Sequence, residues 1–158
     1  MVPAVPATAL LGDTFWVDPY FGSDATGTGS SGAPFKTITH AMTHARALDD
    51  IVLRDGVYSL TSGEVLPIAV GPGVTVRAEH PRGAFIDGED EVPLFDMLDP
   101  GPHTGLSGLV IMNGYGGTGA GLKIRRYTAS AASDAGWPRI LDCWFYRCTG
   151  ATAGGASM

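Results

Sequence analysis

The chain has 158 residues, of which 44% are hydrophobic and only 16% charged, with a formal net charge of −6. Its 23 glycines and 11 prolines mark a chain dense in turns. This composition excludes a disordered chain, a collagen with glycine at every third position, and a nucleic-acid binder built on clustered Lys and Arg. It fits one mostly β domain over residues 1–158.

The opening stretch MVPAVPATALLG is apolar but has no basic segment, and Pro3 and Pro6 interrupt it. No signal peptide is expected from it, and no run approaches the ~20 apolar residues of a membrane span. Residues 12–33 read as a short strand (Phe15, Trp16, Val17) followed by a Gly/Ser/Thr/Asp surface loop, with Asp24 as a turn residue. Residues 35–48, FKTITHAMTHARAL, predict a helix. Ile38, Ala41, Met42, Ala45 and Leu48 fall on one apolar stripe, while His40 and His44 are expected to be solvated. Pro34 stands just before the expected start.

After Asp50 the chain becomes short β-prone runs separated by turn residues such as Asp55-Gly56, Gly71-Pro72-Gly73, Asp87-Gly88 and Asn113-Gly114. Similar runs recur. Ile51 to Val74 is 23 residues, Val74 to Phe95 is 21, and Phe95 to Leu122 is 27. A second set runs from Phe85 to Leu109 (24) and from Leu109 to Cys143 (34), the latter gap holding the polar insert YTASAASDAGWP. A period in the low twenties with several short strands per repeat predicts a β-solenoid of parallel stacked strands.

Two segments share a finer pattern: Leu106-x-Gly108-Leu109-x-Ile111 aligns with Ile140-x-Asp142-Cys143-x-Phe145. In each, the first apolar residue is out of phase with the other two, so a corner must reset the pleat at Gly108 and at Asp142. Leu106, Leu109, Ile111, Ile140, Cys143 and Phe145 are then core, and Trp144 and Tyr146 point outward. Cys143 and Cys148, at odd spacing, are expected to be free thiols.

Pro34-Phe35-Lys36-Thr37-Ile38, then Ile51-Val52-Leu53 and Gly56-Val57-Tyr58, follow a Gly-Ser-Asp-rich loop. In that order they resemble the opening of right-handed parallel β-helix proteins of the pectate-lyase-like superfamily. The resemblance implies a single-stranded right-handed parallel β-helix. Residues 12–50 would form its N-terminal strand, loop and capping helix, and residues 51–158 about five rungs. It also implies a secreted or cell-surface setting. Thr149-Gly150-Ala151 through Ala156 look like the start of another rung, so the C-terminal end is expected to be uncapped. Self-association as a homodimer through those rungs follows as an expectation.

Chemistry is sparser. The turn DGEDE offers Asp87, Glu89, Asp90 and Glu91, of which the first three are candidate metal ligands; calcium is expected only if the protein is a lyase. LKIRR offers Lys123, Arg125 and Arg126, of which Lys123 and Arg125 project from one strand face. Lys123, Arg125 and Asp87 are the candidate catalytic set of a polysaccharide lyase. Asp87 with Asp96 or Asp142 would be the pair for a glycoside hydrolase. Trp144 and Tyr146 are candidate substrate-binding aromatics, unless the 127–138 loop folds over them with Trp137 alongside. The expected function is a non-catalytic, polysaccharide- or surface-associated β-helix module. The alternatives are a lyase or hydrolase of acidic polysaccharide, or an inactive fragment of one. No resident cofactor and no nucleic-acid partner are expected.

Overall fold

The computed structural model describes residues 12–126, 136–151 and 156–157. Along the chain come β1 (Thr14–Val17), α1 (Ile38–His44), β2 (Asp50–Leu53), β3 (Gly56–Ser59) and β4 (Ile68–Val70). There follow β5 (Thr75–Ala78), β6 (Ala84–Asp87), β7 (Phe95–Leu98), β8 (Gly105–Ser107), β9 (Leu109–Met112), β10 (Tyr115–Gly116) and β11 (Leu122–Arg125). The last are β12 (Arg139–Leu141), β13 (Trp144–Tyr146), β14 (Thr149–Gly150) and β15 (Ala156–Ser157). The fold is all-β apart from one short helix.

Every named strand pair is parallel, and strands distant in sequence stack into ladders. One sheet runs β1-β2-β5-β8-β12, a second β3-β6-β9-β13, a third β4-β7-β11-β15, and β10 pairs with β14. The chain visits the first, second and third sheets in turn, the sequence expected of a β-solenoid. Ile51 stacks on Val76, Val76 on Leu106, Phe95 on Leu122, and Ile111 on Phe145. The return distance is thus 25 to 34 residues for these pairs, not the low twenties. Val74 is not the partner of Ile51, and Phe95 lies on a different sheet from Val76. Alternation locates the apolar runs but does not fix which run lands on which ladder.

The three sheets enclose one core. Ile51, Leu53, Ile68, Val76, Ile86, Phe95, Met97, Leu106, Leu109 and Ile111 are fully buried within it. Each such side chain contributes on the order of 1.5–3 kcal/mol through removal from water. Ile140, Cys143, Phe145 and Cys148 pack against this core from the last repeat. The two cysteines are free.

Corners fall where the phase break requires them. Gly108 (φ 70°) and Asp142 (φ 49°) both occupy the left-handed region, as do Asn113 (φ 51°) and Arg147 (φ 52°) one strand later. A residue in that conformation turns the chain and reverses which side chains face inward. Gly108 N–H donates to Leu141 O, so the ladder continues across the bend.

The helix is shorter than the predicted 35–48. Phe35 N–H donates to Trp16 O in β1 and its C=O accepts from Asp18 N–H just beyond that strand, which leaves Thr37 as the N-cap. At the other end Ala45 is extended, and Leu48 is exposed with φ 81° rather than part of the buried stripe. Ile38 and Ala41 are buried, and α1 lies against β1, β2 and β4, which include the edge strands of two sheets. Asp24 is more than a turn residue: its Oδ1 accepts from Lys36 and Thr37 N–H, and its Oδ2 from Thr37 Oγ1. His40 and His44 are also not simply solvated, since both rings pack on Phe35.

At the C-terminal side, β14 and β15 stack in register on β10 and β11. The segment expected to begin a further rung therefore belongs to the repeat that starts at β12. Self-association through this region concerns residues of which 152–155 and 158 lie outside the described ones.

Candidate functional site

Along the second sheet, strand alternation sends Tyr58, Ile86, Ile111 and Phe145 inward and sends their neighbours outward. In register, Val57, Phe85, Val110 and Trp144 stand one above another on the outer face. A second outer row holds Ser59, Asp87, Met112 and Tyr146. With strands ~4.8 Å apart, four strands carry each row across ~14 Å.

The first row is apolar and open to solvent. Val57 is 37% exposed, Phe85 36% and Trp144 59%, with Tyr146 beside it at 60%. Only Val110 is covered. Tyr20 extends the row at its start. Its hydroxyl oxygen accepts from Val57 N–H at 3.4 Å, and its ring lies against Gly56, where a Cβ would come within 2.8 Å of it. At the other end the Arg82 guanidinium lies 4.9 Å from the Trp144 ring centroid while its Nη1 donates to Asp142 Oδ1 at 3.1 Å. This corner arginine and the corner aspartate flank the exposed indole with hydrogen-bonding groups.

Trp144 and Tyr146 are thus placed outward as the alternation requires. Trp137 is paired with Arg126, 4.7 Å from guanidinium to ring. Residues 127–135 of the 127–138 loop, the one expected to fold over the aromatics, lie outside the described residues. Sequence reading missed Val57, Phe85 and Val110 as members of this row. Their alignment appears only once the ladder register is known, although their outward parity was available.

The acidic turn is occupied with structural bonds. Asp87 Oδ1 accepts from Asn113 Nδ2 and from Glu89 N–H, both at 2.9 Å. Glu89 Oε1 accepts from Thr61 N–H at 3.1 Å, and hydrogen bonds from Thr61 and Ser59 hold its carboxyl below the ordinary range. Asp90 faces Arg147 at 4.0 Å. The Asp87 and Glu89 carboxylates act as acceptors along the corner, and among the described residues no group of three or more His, Cys, Asp or Glu side chains could hold a metal ion.

Lys123 and Arg125 project outward from β11 on the third sheet, whereas Asp87 ends β6 on the second. The structure does not bring that trio together. What it places beside the two cations is Asp96, in register with Lys123. Arg125 Nε donates to Asp96 Oδ1 at 3.1 Å and its Nη2 pairs with Oδ2, a bidentate clamp. No side-chain hydrogen bond or ion pair joins Lys123 to another described residue. Asp96 separates two shallow depressions, one of about 230 Å³ beside Lys123 and one of about 450 Å³ beside Arg125. Asp142 is engaged by Arg82 at the other corner, so the carboxylate pairs expected of a hydrolase fall on different faces.

Parallel strands stacked in successive repeats over one core, with a short helix on the edge strands, define an all-β protein of the β-solenoid class. The chain belongs to the family described as protein of unknown function (DUF1565), whose model matches residues 20–125. No curated protein and no solved structure matches it.

Proposed function

We propose that the chain forms a right-handed parallel β-helix of the pectate-lyase-like kind, and that it works as a non-catalytic module binding a linear polysaccharide along the outer face of its second sheet. The observation that carries this reading is the outer row of Val57, Phe85, Val110 and Trp144 in ladder register, exposed at all but Val110 and extended by the exposed Tyr20. Aromatic and aliphatic faces stack on the C–H faces of pyranose rings, and flanking polar groups orient the sugar hydroxyls. The row is one side chain wide, with Arg82, Asp142 and Asp87 beside it. That shape suits a linear chain better than a protein partner, which needs roughly 800 Å² from each side.

Titration of the chain with soluble polysaccharides, neutral and acidic, by affinity electrophoresis tests the reading. Retardation that Trp144→Ala and Tyr146→Ala both weaken supports it. Failure of every polysaccharide to retard the wild-type protein overturns it.

A second reading rests on Lys123, whose amine has no hydrogen bond or ion pair among the described residues and stands beside the Asp96–Arg125 clamp. A lyase would use such an amine to take the proton next to a uronate carboxylate. Incubation with polygalacturonate and calcium, followed by absorbance of the unsaturated product, decides between the two. Activity lost in Lys123→Ala favours the lyase.

A further inference from the structure

The capping helix carries a feature that the polysaccharide reading does not use. His40 and His44 lie one helical turn apart, and their Nε2 atoms converge to 3.3 Å. Neighbours at i and i+4 share a helix face, but two imidazoles there ordinarily have many rotamers to choose from. Here packing restricts them. Phe35 is buried and lies against both rings, edge-on to His40 at 4.8 Å and stacked on His44 at 4.9 Å between centroids. Phe15 packs on Phe35 at 6.0 Å and on His44 at 6.3 Å. Gly29 makes this cluster sterically accessible. A Cβ at that position would come within 2.6 Å of the Phe35 ring and 2.7 Å of Phe15. The backbone of His40 is fixed as well, since its N–H donates to the N-cap Thr37 Oγ1 and its C=O accepts from Thr43 Oγ1.

The separation of the two nitrogens has chemical meaning. Zinc binds imidazole nitrogen at ~2.0–2.1 Å with tetrahedral angles, which sets two ligand nitrogens about 3.3–3.4 Å apart. Ligands at right angles, as in square-planar or octahedral sites, would stand about 2.9 Å apart at the same bond length. The observed 3.3 Å matches the tetrahedral bite. Two neutral imidazoles can instead share one N–H···N hydrogen bond at this distance; a metal ion would take the place of that proton, and the donor ring would then carry its proton on Nδ1.

We propose that His40 and His44 form a two-imidazole chelate for a tetrahedral divalent ion of the zinc class on the capping helix, with water in the remaining positions. The aromatic cluster takes the orienting role that a carboxylate or carbonyl commonly plays behind a metal-bound histidine.

The test is isothermal titration of untagged full-length protein, freed of metal by chelator, with zinc sulfate in a non-coordinating buffer at pH 7.5. Saturable binding of one zinc per chain is expected. His40→Ala and His44→Ala should each weaken it at least tenfold, while His103→Ala, away from the helix, leaves it unchanged. Titration with Co²⁺ should give the intense visible absorption of tetrahedral cobalt in the wild type and lose it in both helix variants. Absence of saturable zinc binding to the wild type overturns the proposal, and so does binding that either helix variant retains at full strength. His44 is exposed and its replacement should not unfold the chain, so that variant decides the matter if His40→Ala is too unstable to purify.

Discussion

The Glu64 carboxylate accepts the backbone N–H of Ile38 at 2.6 Å and that of Thr39 at 3.0 Å. A helix begins with N–H groups that have no partner inside it, and α1 begins with no acidic residue in its own first turn. The acceptor comes instead from the turn after β3, in the first repeat. Glu64 is 4% exposed, so the interaction ties the cap to the solenoid in a site shielded from water.

Removing this acceptor should therefore uncouple the helix. Glu64→Ala takes the acceptor from the buried Ile38 N–H and the part-buried Thr39 N–H, and a loss on the order of 2–6 kcal/mol is expected at about 1–3 kcal/mol per group. Urea unfolding followed by far-ultraviolet circular dichroism measures it. Glu64→Gln, which keeps an acceptor oxygen, should lose less.

Acid sensitivity should centre on Asp18. Burial pushes its carboxyl up, but N–H donation from Phe21 and Tyr20 together with the Arg54 guanidinium outweighs this and leaves it below the ordinary carboxylate range. A group depressed in the folded state stabilises the protein fully above its unfolded value, near ~4, and that stability is lost as pH falls through the folded value. Asp18→Asn should be less stable at neutral pH and show a flatter loss of stability below pH ~4. Denaturant midpoints measured from pH 6 to 2.5 give both quantities.

Corner geometry separates two positions that occupy the same place in successive repeats. Gly108→Ala has room for its methyl group, whose nearest neighbours lie at 3.5 Å, yet it must adopt φ near 70°. A cost of ~1–2 kcal/mol is expected from backbone strain alone. Asp142→Gly relieves the same strain and loses only a half-exposed ion pair with Arg82, so its stability should stay within ~1 kcal/mol of wild type. Thermal unfolding of the two variants side by side tests the contrast.

Burial pushes both cysteine thiols up from their ordinary range, at Cys143 with a further push from Asp142. Native protein at pH 8 should react with iodoacetamide several-fold more slowly than the same protein in urea, with two thiols modified per chain in the latter. Mass spectrometry of timed aliquots reads the rates.

Trp144→Ala should remove binding without removing the fold. Its ring is largely exposed and the Arg82 guanidinium stacks over it, so stability should change by less than ~1 kcal/mol. Tryptophan fluorescence quenching on addition of polysaccharide should fall in the same variant.

Much of this architecture was legible in local sequence. The apolar runs, the phase break between Leu106 and Leu109, and the outward parity of Trp144 and Tyr146 all follow from the two-residue period of a strand. Gly108 and Asp142 were marked as corners because an inward face can be reset only by a residue that tolerates the left-handed region. The row that joins Val57 to Trp144 was not legible. Neither was the company kept by Lys123, which stands beside Asp96 rather than Asp87.

The amino-acid sequence by itself determined which residues are strand, which faces are apolar and where the chain bends, because alternation, glycine content and side-chain polarity act over a few residues. Tertiary structure alone decided the pairing. Parallel strands meet partners 25 residues or more away, and their register is set by how the whole core packs. That packing shifted the partner of Ile51 from Val74 to Val76, and it drew Phe35 out of the helix and under His40 and His44. The turn-rich composition announced a β protein, and the register of its ladders made one face of it a candidate binding surface.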